Sequence, residues 1–346
     1  MLPRRSGTLS DMAIPAWFAD LLGLKCPLAE GDTVPVAGRE MLLSNGVLRH
    51  SAALSATQTQ TEKTFGFKWN KRDTFESKLP EQMRHWLIEK YGNVCESEWF
   101  KALGRSPIVL DAGCGAALSA IELFAPVIHD IRYIGVDVSN AVDVARTRFQ
   151  ELGVHAGFIQ SDLQQMPLGD EVADVIFSEG VLHHTDNTAE ALAALLPHLK
   201  PGGRILFYVY RRKGPIREFT DDYIREEVQG MSPEQAWQAL LPLTKLGIEL
   251  GKLDLEINVP EEIELLKIPA GPINLQRLFY WHIFKAYYRP ELDFDEMQHI
   301  NFDWFAPKNA HRQSPEEVRQ WCADLGITIE RERVEMAGIT IIARKN

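Results

Sequence analysis

From Ser106 onward, short apolar runs alternate with stretches in which apolar residues recur at helical spacing. Ile108-Val109-Leu110 is such a run, stopping at Asp111 and a glycine-containing turn, and a helix is predicted over residues 116–124. Tyr133-Ile134-Gly135-Val136 predicts a second strand that stops at Asp137. Ser139 is placed to cap the next helix, with Val142, Ala145, Phe149 and Leu152 as its buried stripe and Gly153 at its end. Gly157-Phe158-Ile159 and Asp174-Val175-Ile176-Phe177 predict the third and fourth strands. A helix over about 188–199 then leads through Pro201-Gly202-Gly203 into a strand over 204–210. Apolar runs without polar interruption, alternating with helices, predict a parallel, doubly wound α/β sheet.

The flanking regions have a different texture. Residues 1–105 are mixed and weakly periodic, except for one helix with Met83, Trp86, Leu87 and Tyr91 on a single face, Pro80 at its start and Gly92 at its end. Residues 211–312 read as aromatic-rich helices with prolines between them, and Phe279-Tyr280-Trp281-His282, Phe284, Tyr287 and Tyr288 fall on one predicted helix. In residues 313–346 the α/β texture returns. Ser314-Pro315-Glu316-Glu317 is a capping box, and Val318, Trp321, Cys322 and Leu325 form the apolar face of its helix. Ile327-Thr328-Ile329 and Ile339-Thr340-Ile341-Ile342 are joined too closely for a parallel crossover and are predicted to pair antiparallel.

Composition narrows the function. The chain has 346 residues, 45% of them hydrophobic, and a formal net charge of -11. Non-specific nucleic-acid affinity comes mainly from Lys and Arg on phosphates, so an acidic chain without a long basic run is not expected to bind nucleic acid. Cys26, Cys95, Cys114 and Cys322 form no metal-ligand or disulfide pattern, so no metal is expected, Leu24-Lys25-Cys26-Pro27 included. Arg4 and Arg5 are followed by an apolar stretch broken by Asp11, Pro15 and Asp20, which is not a secretory signal. No apolar run approaches the ~18 residues of a membrane span. A cytoplasmic protein is expected; oligomeric state is silent.

The chemistry concentrates at the ends of the predicted strands. In Val109-Leu110-Asp111-Ala112-Gly113-Cys114-Gly115 the glycines let backbone approach a ligand at the carboxyl edge of the sheet. The dinucleotide pattern fails because Leu118 stands where its third glycine belongs. Asp137 after the second strand is placed to accept hydrogen bonds from two ribose hydroxyls and to repel a phosphorylated ribose. Asp162 after the third strand is placed to accept an adenine amino group, with the neighbouring amide of Leu163 on the ring.

The segments VLDAGCG, YIGVDVS, FIQSDLQQMPL, DVIFSEGVLHHTD and LKPGGRILFYVY resemble the successive motifs of class I S-adenosylmethionine methyltransferases, most of all the ubiquinone and menaquinone type and natural-product enzymes. The resemblance covers about residues 106–210 and the last helix and two strands. It implies a Rossmann-like sheet of seven strands with an antiparallel last strand, S-adenosylmethionine as cofactor and a small-molecule substrate. It further implies a cap or lid in residues 1–105, a cofactor-binding core in 106–210, a helical substrate cap in 211–312 between the fifth and sixth strands, and completion of the core in 313–346.

By the same resemblance, Gly113, Cys114 and Gly115 pack against the methionine portion and ribose, and Asp111 orients the methionine amine. Asp137 with Val138 holds the ribose, Asp162 with Leu163 the adenine, and Glu179 lies near the methionine end. Ala117 departs from the third glycine of many members. Thr64-Phe65-Gly66-Phe67-Lys68-Trp69-Asn70 resembles a stretch before the core of some small-molecule members, so Phe65 and Trp69 are expected in a lid.

His183 and His184 are candidates for a general base, beside the alternative that one faces solvent and the other orients a loop. Tyr280, Tyr287 and Trp304 are candidates for an aromatic substrate wall, beside the alternative of packing within the insertion. Methyl transfer to an O, N or C atom is the expected reaction. Three alternatives stand beside it: a cyclase or lyase of the same fold releasing methylthioadenosine, with a four-membered ring closed by the cofactor's own amine; a non-catalytic binder of the cofactor; and a macromolecular methyltransferase.

Overall fold

The computed structural model describes residues 14–50, 53–75 and 79–346; Arg4, Arg5 and Asp11, weighed above against a secretory signal, lie outside them. Three short strands come first: β1 (Thr33–Val36), β2 (Arg39–Ser44) and β3 (Val47–Arg49). The alternating region supplies β4 (Ile108–Ala112), β5 (Arg132–Asp137), β6 (Gly157–Gln160), β7 (Ala173–Glu179) and β8 (Leu199–Tyr210). β9 (Glu256–Val259) and β10 (Gly271–Asn274) pair with each other, and β11 (Ile327–Val334) and β12 (Gly338–Lys345) close the chain. One ten-stranded sheet runs in the order β1-β2-β3-β6-β5-β4-β7-β8-β12-β11.

β3 through β8 pair in parallel, whereas β12 is antiparallel to both β8 and β11. The expected seven strands are therefore β4–β8, β11 and β12. Their uninterrupted apolar runs are explained by burial on both faces. Leu110, Ile134, Ile159, Ile176 and Ile205 point into one core layer, and their neighbours Val109, Tyr133, Phe158, Val175 and Leu206 into the other.

The N-terminal region departs from the expected lid: β1–β3 extend the sheet beyond β6, where Leu48 pairs with Ile159. The cause is local. Ala37-Gly38 and Asn45-Gly46 both have positive φ, which gives tight hairpins whose twist matches the strands. Val34, Val36, Met41 and Leu43 alternate into the core.

Helix Ala56–Asn70, capped by the Ser55 hydroxyl, follows the meander. It lies close against the turn after β5, where a Cβ on Gly66 would fall 2.7 Å from Asn140 Oδ1. Asn70 Nδ2 donates to that same oxygen at 3.1 Å.

The insertion holds helices Pro215–Val228, Pro233–Lys252 and Phe294–Phe305, together with the β9–β10 hairpin that the helical reading missed. The expected single aromatic helix is also corrected. Leu275–Leu278 widens into a π-turn at Phe279–Ile283, and the chain is extended from Phe284. Pro290 disfavours helix before it, and the extended segment seats on helix Pro233–Lys252 where two glycines leave room. A Cβ on Gly247 would fall 2.8 Å from Tyr287 O, and one on Gly251 2.1 Å from the Tyr288 ring. No described helix is long and apolar enough to cross a membrane.

Candidate active site

Turn chemistry at the ends of β4 and β5 sets the floor of the site. Gly113, at φ +83, and Cys114 donate their amides to Val136 O at 2.8 and 2.9 Å, while Gly115, at φ +50, donates to Asp137 Oδ2 at 2.8 Å. Side chains at these glycines are excluded by neighbours, since a Cβ would fall 2.2 Å from Val181 at Gly113 and 2.7 Å from Trp69 Nε1 at Gly115. Ala117, at φ +58, holds a left-handed position and starts its helix at Leu118, two residues later than expected. A residue with a Cβ there costs roughly 1 kcal/mol of backbone strain.

A cavity of about 600 Å3 opens above this floor at the carboxyl edge of the parallel strands. Of the expected cofactor residues, Asp111, Gly113, Cys114, Gly115, Asp137, Val138, Asp162, Leu163 and Glu179 all line it. Gly180 lines it too, at φ +74, with no atom within 4 Å of where a Cβ would point. The turn therefore leaves open space where a ligand fits.

The acids differ in what they already hold. Asp137 is buried; its Oδ1 accepts from Ser139 N at 2.8 Å and Ser139 Oγ at 2.6 Å, and its Oδ2 from Gly115. That uses three of the roughly four acceptor positions of a carboxylate. Burial raises its pKa, and the bonds from Ser139 and Gly115 oppose the rise. Asp111 accepts from Tyr133 Oη at 2.6 Å; burial pushes its carboxyl up to about 7 despite that bond, with Asp137 and Glu179 adding to the rise. Asp162 caps the turn after β6 by accepting from Gln164 N at 2.7 Å. Glu179 pairs with Lys90 and accepts from Tyr91 Oη at 2.6 Å.

The roof comes from both flanking regions. Helix Ala56–Asn70 contributes Phe65, Lys68 and Trp69, helix Leu79–Tyr91 contributes Met83 and Trp86, and the insertion contributes Tyr280, Trp281 and Tyr287. Trp304 does not line the cavity. It is buried in the insertion, where its indole donates to Asp221 Oδ2 at 2.7 Å and its ring lies 4.5 Å from that of Tyr210.

The two histidines also separate. His183 does not reach the cavity: it is fully buried, its ring lies 3.7 Å from that of Tyr210, and burial, then His184, hold it neutral. His184 does line it. Its Nδ1 lies 2.6 Å from Asn309 O, and a carbonyl only accepts, so Nδ1 carries the proton and Nε2 is a bare acceptor. Nε2 is buried without a partner, and burial lowers the imidazole to about 4.

Sequence reasoning missed a charged pair in the roof. Lys68 Nζ meets Asp303 Oδ1 at 2.5 Å, and Tyr210 Oη donates to Asp303 Oδ2 at 3.0 Å. Burial acts to raise the Asp303 carboxyl, but Lys68, His184 and Lys285 outweigh it and hold it well below the ordinary range. The only signal for this pair was one acid and one lysine set among aromatics, in Phe302-Asp303-Trp304-Phe305 and Phe67-Lys68-Trp69.

Residues 110–207 match a family model described as a methyltransferase domain. That segment is a methyltransferase domain of the class I S-adenosylmethionine-dependent kind. It is 30% identical over 105 residues to a ubiquinone biosynthesis O-methyltransferase of Rickettsia felis, covering 30% of this chain and 41% of that one. It is 32% identical over 212 residues to the tRNA (carboxymethyluridine(34)-5-O)-methyltransferase ALKBH8 of Mus musculus, covering 54% and 30%. The chain thus spans well under half the length of these two curated relatives. Among solved structures it is similar to a 1,6-didemethyltoxoflavin-N1-methyltransferase of Burkholderia thailandensis, at 15% identity and a TM-score of 0.45, with 87% of this chain and 95% of that one covered.

The matched segment supplies the floor of the cavity. Phe65, Lys68, Trp69, Met83, Trp86 and the residues of the insertion lie outside it.

Proposed function

We propose that this protein transfers a methyl group from S-adenosylmethionine to an O, N or C atom of a small molecule. The observation that carries the reading is the cavity at the carboxyl edge of the sheet. Its floor holds the Gly113–Gly115 turn, Asp137 and Asp162, and its roof holds aromatic rings from two flanking regions. A covered cavity of this size suits a small molecule better than a macromolecule, and the net charge of -11 weighs against RNA.

The residues divide the work. Asp137 offers its remaining acceptor position to a ribose hydroxyl, Asp162 and Leu163 take the adenine, and Asp111 with Glu179 presents negative charge to the methionine amine. S-adenosylmethionine, when bound, supplies an electrophilic methyl group on a sulfonium sulfur. Direct displacement needs alignment and exclusion of water more than covalent help. Phe65, Trp69, Tyr280 and Tyr287 provide both by closing the roof. His184, the histidine that lines the cavity, is the candidate base. As a weak base held neutral, it takes the proton of an acceptor that becomes acidic as the methyl group moves onto it.

Calorimetric titration tests the floor. Wild type binds S-adenosylhomocysteine saturably, and Asp137→Ala weakens binding at least tenfold (about 1.4 kcal/mol) while its circular dichroism stays native. Absence of saturation in wild type overturns the reading. Mass spectrometry of turnover with a metabolite extract reads the reaction: S-adenosylhomocysteine is the expected by-product, and methylthioadenosine contradicts methyl transfer.

A further inference from the structure

Four cationic side chains line the cavity: Lys68, Lys90, Arg277 and Arg289. The first two are neutralised by Asp303 and Glu179. Among the described residues no carboxylate forms an ion pair with Arg277 or Arg289. Glu335, the acid on the neighbouring β11–β12 turn, is bound to Arg333 at 2.7 Å. Arg277 lies on the helical start of the π-turn and Arg289 on the extended segment after it, so the break in the expected aromatic helix brings the two together.

Two aromatic side chains complete the corner. The Arg277 guanidinium stands 5.5 Å from the centre of the Tyr280 ring. Tyr287 faces Arg289, is only 5% exposed, and its hydroxyl has no hydrogen-bond partner of good geometry. Burial, then the charge of Arg289, lowers the pKa of Arg277. Two guanidiniums thus line one cavity with no carboxylate paired to either among the described residues, and the buried Tyr287 hydroxyl lies beside Arg289.

We propose that Arg277, Arg289 and Tyr287 form an oxyanion subsite for the methyl acceptor, which is therefore a small organic acid. The claim rests on the methyl-transfer reading only for the word acceptor. A guanidinium offers N–H groups in a fixed fork that fits the two oxygens of a carboxylate or phosphate group, and an anion between two like charges relieves their repulsion. The adjoining Tyr280 and Trp281 rings, set edge to face at 4.4 Å, give the rest of an acceptor an aromatic corner to pack against. Both arginines lie outside the matched 110–207 segment, in the part of the chain that roofs the cavity rather than in its floor.

The test uses the full chain saturated with S-adenosylhomocysteine. Benzoate, phenyl phosphate and neutral benzamide are titrated while the fluorescence of Trp69, Trp86 and Trp281 is followed. One of the two anions is expected to bind at least tenfold more tightly than benzamide, and whichever anion does so identifies the oxyanion. Arg277→Met and Arg289→Met are each expected to lose tenfold in anion affinity and to keep S-adenosylhomocysteine affinity within twofold. Equal binding of anions and amide by wild type overturns the proposal, as does unchanged anion affinity in both variants. Loss of S-adenosylhomocysteine affinity in the variants overturns it differently, by showing that the guanidiniums hold the cofactor's carboxylate. Should wild type fail to bind S-adenosylhomocysteine at all, methyl transfer falls, and the anion–amide comparison in the free protein still decides the subsite.

Discussion

At the scale of single residues, burial decides what the acids of the floor can do. Asp111 carries a carboxyl raised to about 7, so below that pH its neutral form predominates in the free protein. A raised carboxylate pKa contributes stability at low pH that is lost as pH rises through about 7. Binding the methionine amine reverses the preference, because a cation favours the ionised acid. Affinity for S-adenosylhomocysteine should therefore be steady above about pH 8 and fall toward tenfold per unit below about pH 6, with proton release near pH 6–7. Calorimetry in two buffers of different ionisation enthalpy measures that release; an affinity flat from pH 6 to 8 would show that Asp111 does not face the amine. The neighbouring Asp137 works differently, since Gly115 and Ser139 already hold it and its ligand role is limited to what they leave free.

At the scale of elements, close approach of backbone to helix shapes the roof. Gly247 sits inside helix Pro233–Lys252, where alanine would gain roughly 1 kcal/mol in helix propensity. Its Cβ would meet Tyr287 O at 2.8 Å and Ala286 C at 2.9 Å, and backbone atoms cannot rotate away. The overlap costs about 1–3 kcal/mol, so Gly247→Ala is expected to destabilise by about 1 kcal/mol net. It should also weaken acceptor binding by shifting Tyr287. Gly230→Ala, with no atom within 4 Å of its Cβ, is the matched control and should be neutral or stabilising. Urea denaturation of the pair measures the difference, and a stabilised Gly247→Ala would mean the segment is not seated on the helix.

At the scale of the molecule, the β1–β3 meander and the core share one sheet, and the core, helix Ala56–Asn70 and the insertion line one cavity. Ligand binding should therefore stabilise the whole. At S-adenosylhomocysteine one hundred times its Kd, linkage gives about 2.7 kcal/mol. For a chain of this size that corresponds to a Tm rise of about 4 °C. Scanning calorimetry should show one transition moving up by that amount in wild type and hardly moving in Asp137→Ala. A wild-type transition that does not move would separate the cavity from the cofactor.

The sequence alone determined the sheet and the floor. Apolar runs buried on both faces, glycines at a strand-ending turn and acids just beyond Val136 and Gln160 are local patterns, and local patterns survive without knowledge of what packs against them. The Asn45-Gly46 hairpin was legible in the same way, though unread. Only the tertiary structure decided which side chains share the cavity. His183 and His184 are adjacent in the chain, yet Tyr210 covers one and the cavity admits the other. Trp304 was drawn into the insertion by Asp221, and Arg277 and Arg289 met because a helix opened into a π-turn and then stopped. Those outcomes depend on contacts between residues far apart in the chain, and the periodicity of a single segment carries no record of them.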